Sequence, residues 1–382
     1  MKNKTVRLMQ LFFLIFYMGI GVYTTYITVF FKAKGLSASE IGAIQGIGPV
    51  VSMLGLSLAG GIADKTGKMN IVLSASFLLS ALCDLFFPIH PVFMMLLLIN
   101  TVYTFASSPL LQLSDAFAAD NCNKEGVPFN KVKICGTVGY ATMVLLSGYI
   151  LKSNVSYMFV IQGIIFLMSA IIAYKIPDRR TIKEPAKNAY FSVLKNKKLL
   201  ILYTANLLIF IPVSYYNSFF PILIQELAQG DITYVSWSNF LALLSEFPFL
   251  IFAFSIFKKL GAKKLLMLSC ALMTLRWIII CFAPDIFTAM IINMLKGASD
   301  IVFVYSTTEI LNRTLEDRLK GTGQALVGIL TYGIARISGN WLGGILADIF
   351  GIRTVFLMCS AFPVVAFFLL MFLYKDNKEG TA

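Results

Sequence analysis

Long apolar runs separated by short polar connections make up almost the whole chain. Twelve such runs begin near Leu8, Ile41, Ile71, Val92, Ile134, Val155, Leu199, Ile232, Leu265, Ile286, Gly321 and Thr354. Each approaches the roughly 20 residues that a helix needs to cross the hydrocarbon of a bilayer. Leu8 to Phe31, Ser153 to Tyr174 and Leu199 to Gln225 contain no charged residue. Hydrocarbon offers no water to satisfy backbone N–H and C=O groups, so runs of this kind predict helices. The pattern predicts an all-α membrane protein with twelve transmembrane helices in two six-helix bundles.

Composition agrees: 58% of the 382 residues are hydrophobic and 13% charged, which excludes an ordinary soluble class. The formal charge of +13 follows the connections rather than any one face. With both termini cytoplasmic, only Lys32, Lys34, Lys152 and Arg353 fall outside. Arg276, Lys296 and Arg336 fall inside segments, leaving 25 of the 32 Lys and Arg on the cytoplasmic side. Cytoplasmic loops favour Lys and Arg, so the split predicts a multi-pass protein of the cell membrane with both ends inside. The basic loops suit anionic lipid headgroups as partners, and nucleic acid is the poorer reading. The first apolar run is too long for a signal-peptide core and is expected to stay as segment 1. Six cysteines lack metal-type spacing and read as packing residues, and no cofactor or metal is implied.

The longest polar connection, Lys175 to Lys198, divides the chain into residues 1–175, a linker over 176–198, and residues 199–382. A shift of 194 positions places Gly67 opposite Gly261, Tyr23 opposite Asn217, and Asp115 opposite Glu309. Several matches at one offset suggest duplicated halves. Parallel six-helix repeats place a solute site near the midplane between them.

The connection after segment 2 reads Gly60-Gly61-Ile62-Ala63-Asp64-Lys65-Thr66-Gly67-Lys68. It resembles the G-x-x-x-D-R/K-x-G-R/K signature of the major facilitator superfamily. In physical terms Gly60 would admit a neighbouring helix, Gly67 would make the tight turn, and Asp64 would bond a helix N-terminus or a basic partner at a cytoplasmic gate with Lys68. Phe129 to Tyr140, Pro109 to Ala116, Ser245-Glu246-Phe247-Pro248 and Arg276-Trp277 are similar to elements of the branch that contains phenylpropionate, nucleoside and lactose proton symporters. Lysines replace two motif arginines near segment 5, Gln112 replaces a proline, and Lys296 stands where a histidine is common. The resemblance implies alternating access of a solute between two bundles.

Glu246, Arg276, Lys296, Asp300 and Arg336 lie near the centres of their segments, where a charge costs about 2.5–3.5 kcal/mol on insertion scales and normally faces water or a partner. Glu246 is the expected proton carrier, because a carboxyl in an intermittently wet, low-dielectric site is pushed toward the working pH. By analogy with the family, Arg276 is its expected partner. Lys296 and Asp300, four apart, share a helix face and are expected to bridge locally. Arg336 leaves a positive surplus that an anionic solute would neutralise if it faces a cavity. Asp115 and Lys133 form a candidate gate pair. Tyr23, Tyr26, Asn100 and Asn217, with Tyr103, Tyr140, Asn206, Tyr216 and Tyr332, are candidates to line the pathway. Asp84 and the only histidine, His90, are expected to be solvated near the outer ends.

No nucleotide-binding P-loop, zinc site or catalytic triad is present in the sequence, so the chain is read as a transporter and not an enzyme. The expected activity is proton-coupled import of a small polar or anionic metabolite by a monomer. Proton-driven efflux is the alternative, disfavoured by the absence of an antiporter glycine–proline motif in segment 5. A ligand receptor that does not transport is less favoured, since the tails Met1 to Arg7 and Lys375 to Ala382 leave no room for an output domain. Substrate identity, and proton against sodium, are open at this point.

Overall fold

A computed structural model describes residues 2–89, 92–178 and 196–375. His90 and most of the 176–198 connection lie outside the described residues. Among those described, all regular structure is helical. The helices are α1 (Lys2–Ala33), α2 (Ala38–Thr66), α3 (Met69–Asp84), α4 (Phe93–Glu125), α5 (Asn130–Ile150), α6 (Tyr157–Lys175), α7 (Lys197–Leu227) and α8 (Thr233–Phe282). They continue as α9 (Ile286–Asn293), α10 (Val302–Thr314), α11 (Asp317–Gly328), α12 (Ala335–Phe350), α13 (Ile352–Cys359) and α14 (Ala361–Lys375).

Among the described residues these make twelve helical segments, eight of them long and apolar enough by themselves to cross a membrane. α1 to α6 and α7 supply seven, and the two arms of α8, broken at Gly261, supply two more. α9 and α10 run together through a π turn at Gly297–Ile301, α11 and α12 through another at Ile329–Ile334, and α13 continues into α14. The sequence places a connection around Gly261, and the helix breaks there: Gly261 leaves helical geometry at φ 73° and ψ 150° and separates the two arms. Gly67 also takes a positive φ, 66°, and turns the chain from α2 into α3 as expected.

Residue contacts group the chain into two units. One holds α1, α3 to α6, α2 from Ile47 onward, and Asp231–Trp237. The other holds Ser37–Gly46 at the start of α2, α7, α8 from Ser238, and the helices that follow.

Aromatic side chains fill the middle of each unit. In the first, Phe77 meets Phe12, Phe16 and Phe166 edge to face, Phe12 stacks on Phe16, and Phe87 stacks on Phe159 at 4.5 Å. In the second, Tyr215, Phe219, Phe356 and Trp277 form the corresponding cluster. Large apolar side chains such as Leu54, Phe287 and Ile291 are exposed, as expected of faces that meet lipid rather than water.

Candidate functional site

The central charges of the second unit are paired, in an order different from the expected one. Lys296 bonds Glu246, which sits on the first arm of α8. Arg276, on the second arm, bridges Asp300 at 3.1 Å. The expected Glu246–Arg276 pair and the local Lys296–Asp300 bridge are both corrected. The cause is the π turn that begins just after Lys296: an i→i+5 turn changes the angular spacing of side chains and re-aims Asp300. Lys296 then makes its direct bond to one arm of α8 and Asp300 to the other, while Asp300 stays close enough to act on Lys296 through charge.

Arg276 has no solvent-exposed surface and is held by polar and aromatic neighbours. Nη1 donates to Ser299 Oγ at 3.1 Å, and Ser299 Oγ in turn donates to Asp300 Oδ1 at 2.9 Å. The guanidinium lies 4.2 Å from the Trp277 ring centroid and 5.1 Å from that of Tyr216. A planar, permanently charged group suits this stacked position. Tyr216 Oη donates to Asn293 Oδ1 at 2.8 Å, and Asn293 Nδ2 reaches Ser238. Two buried donors, Arg276 Nε and Trp277 Nε1, have no acceptor. A Cβ at Gly297 would come within 2.1 Å of the Ser245 carbonyl, so only glycine lets α8 and the π turn meet at the level of Glu246 and Lys296. The four charges sum to zero, and the whole assembly lies within one unit.

Ser299, Asn293 and Ser238 belong to this site and were not expected, because isolated Ser and Asn codes carry no signal of their neighbours. Arg336, in the first turn of α12, is exposed, as is Asn217 on α7. Asn206 is buried and accepts from Thr331 at 2.8 Å.

A second polar group occupies the first unit. Tyr23 Oη donates to Asn100 Oδ1 at 3.0 Å, and the Tyr23 and Tyr103 rings stack at 4.6 Å. Gln162 Nε2 donates to Tyr103 Oη at 2.7 Å, and Thr24 and Tyr140 share a hydrogen bond at 3.3 Å. Tyr26 is corrected from pathway to packing: it is fully buried, its hydroxyl shared with Ser236 and the Ile232 carbonyl. Asp84, expected to be solvated, is fully buried at the end of α3.

The Asp115–Lys133 pair forms. Lys133 Nζ lies 2.8 and 2.7 Å from the two carboxylate oxygens of Asp115 and also donates to Tyr17 Oη. Both side chains are more than one-third exposed. Asp64 and Lys68 are exposed at the turn between α2 and α3. Gly60 is corrected: a Cβ there would meet nothing within 4 Å, so no neighbour requires its small size. Among the described residues no cluster of His, Cys, Asp or Glu could hold a metal ion.

Twelve helical segments, a polar group in each unit and paired charges within apolar helices describe a multi-pass membrane protein. Comparison with known proteins agrees: residues 6–358 match the MFS_1-like family, and the chain belongs to that family. It is similar to a maltose permease of Geobacillus stearothermophilus, 25% identical over 386 residues that cover 100% of this chain and 96% of the relative. A putative nucleoside transporter of Escherichia coli, YegT, is 21% identical over 86% of this chain and 81% of its own. The crystal structure of the nucleoside transporter NupG superposes with a TM-score of 0.86 at 16% identity, covering 97% of this chain and 99% of that one, and shows the shared fold.

Proposed function

We propose that this protein is a proton-coupled importer of a small polar or anionic metabolite. On this reading it acts as a monomer with both termini cytoplasmic, and residues 1–175 and 199–382 alternate the access of a central site. One observation carries the proposal: the Glu246–Lys296 pair is largely buried, with side chains 14% and 24% exposed, and one member is a carboxylate. A proton on Glu246 removes the carboxylate bonded to Lys296 and leaves that ammonium group, with Asp300 still nearby, able to take an anionic or hydrogen-bonding group of the solute. Arg276 stays fixed by Asp300 and Ser299 and cannot release its own proton. The unpaired donors Arg276 Nε and Trp277 Nε1 support the same reading, since a solute or water oxygen would satisfy them. In the other unit Tyr23 and Asn100 supply hydrogen-bonding groups. Relatives named for maltose and nucleosides favour a polar solute of that size.

The test uses purified protein in liposomes. An inward proton gradient should drive accumulation of the solute, and Glu246→Gln should abolish accumulation while solute exchange continues. Full accumulation in the variant removes Glu246 from the role, and solute movement against the imposed gradient assigns efflux instead.

A further inference from the structure

A group that the transport reading leaves unused lies in the first unit. Asp84, the last residue of α3, has no exposed surface, and neither of its carboxylate oxygens has a hydrogen-bond donor. α3 packs against α6 and α4. On α6, a Cβ at Gly163 would lie 3.8 Å from Asp84 Cβ and 4.0 Å from its Oδ2. The residue beside it, Gln162, is also fully buried, and its Oε1 has no donor. Three buried acceptor oxygens without a donor thus lie on α3 and α6, two helices that pack together.

Among the described residues no charged side chain is bonded to them. Among the described residues the titratable groups around Asp84 are Cys83 on its own helix and Tyr103 on α4, with Tyr23 stacked on Tyr103, while α6 contributes the uncharged Gln162. Lys34, just after α1, donates to the Pro88 carbonyl at 3.2 Å. An isolated ionised carboxylate in such surroundings is strongly disfavoured, and three acceptors need an electropositive occupant.

We propose that Asp84 is a proton-binding site of the first unit, its acid hydroxyl donated to Gln162 Oε1. A proton suffices where a metal cation would demand more oxygens than the three left unpaired. Gln162 passes the state of that site to Tyr103 through their 2.7 Å hydrogen bond, and Tyr103 stacks on Tyr23, so a proton at α3 is felt by the polar group that the proposed solute would meet.

The test is infrared spectroscopy of the purified protein in H2O and D2O at neutral pH, which needs no knowledge of the solute. The wild type should show the carbonyl stretch of a protonated carboxylic acid that exchanges slowly. That band should disappear in Asp84→Asn and move in Gln162→Leu, which deletes the acceptor. A wild type without the band overturns the proposal. So does an Asp84→Asn difference spectrum that shows loss of an ionised carboxylate, the result expected if the Gln162 amide were turned over to donate to Asp84. Thermal unfolding in sodium against choline chloride provides the remaining arm: equal stability agrees with a proton, and a sodium-specific rise abolished by Asp84→Asn assigns the site to sodium and overturns it. Should Asp84→Asn fail to fold, the band shift in Gln162→Leu decides.

Discussion

Lys296 donates to Glu246, fifty residues earlier in the chain, although Asp300 stands one turn along its own helix. The π turn at Gly297–Ile301 and the close approach of Gly297 to Ser245 make that choice. A coupled pair of this kind should behave non-additively. Lys296→Ala leaves Glu246 without its partner, and Glu246→Ala does the same to Lys296. The double variant is expected to be less destabilised than the sum of the single ones, with an interaction energy on the order of 0.5–3 kcal/mol. Thermal unfolding in detergent measures the cycle, and strict additivity would show that the pair contributes nothing.

Arg276 is held by charge and by stacking at once. Asp300→Asn removes the charge partner of a fully buried guanidinium, and the expected cost is about 3–5 kcal/mol. Arg276→Lys keeps the charge but loses the flat contact with Trp277, so its intrinsic fluorescence should change while Asp300→Ala/Arg276→Leu recovers part of the stability. Unchanged emission from Arg276→Lys would count against the stacked geometry.

Gly297 sets the spacing on which the first pair depends. Gly297→Val is expected to separate α8 from the π turn and to reduce solute accumulation at least tenfold, whereas Gly60→Ala, which meets empty space, should leave it unchanged. Uptake assays on the two variants side by side make the comparison.

Asp115 and Lys133 present the opposite case, since both are partly exposed. Breaking the bridge with Asp115→Asn should change stability by less than about 1 kcal/mol. If the pair acts as a gate, the transport rate should nevertheless fall, and Asp115→Lys/Lys133→Asp should restore part of it. A rate that follows stability alone would identify a static bridge.

Asp231, in the connection before α8, offers a test by pH. Hydrogen bonds from the Thr233 hydroxyl and amide, and then from Lys152, hold its carboxyl below the ordinary value of 3.8. Its stabilising contribution is therefore present above 3.8 and disappears as the pH falls through the lower folded value. Asp231→Asn should unfold at a lower temperature than the wild type at neutral pH, and the gap should narrow as the medium is acidified below 3.8. A constant gap would locate the effect elsewhere.

The amino-acid sequence by itself determined the all-helical class, the twelve helical segments, the turn at Gly67, the family resemblance and the set of charges at bilayer depth. These follow from local quantities: the length of an apolar run, the absence of charge within it, and the need of every backbone group in hydrocarbon for a partner in its own helix. Only the tertiary structure decided that Glu246 meets Lys296 and Arg276 meets Asp300, that Tyr26 is packing, and that Asp84 is enclosed beside Gln162. Each of these depends on which face of one helix meets which face of another far along the chain. A π turn of five residues can rotate that meeting without leaving a mark in the hydrophobic pattern.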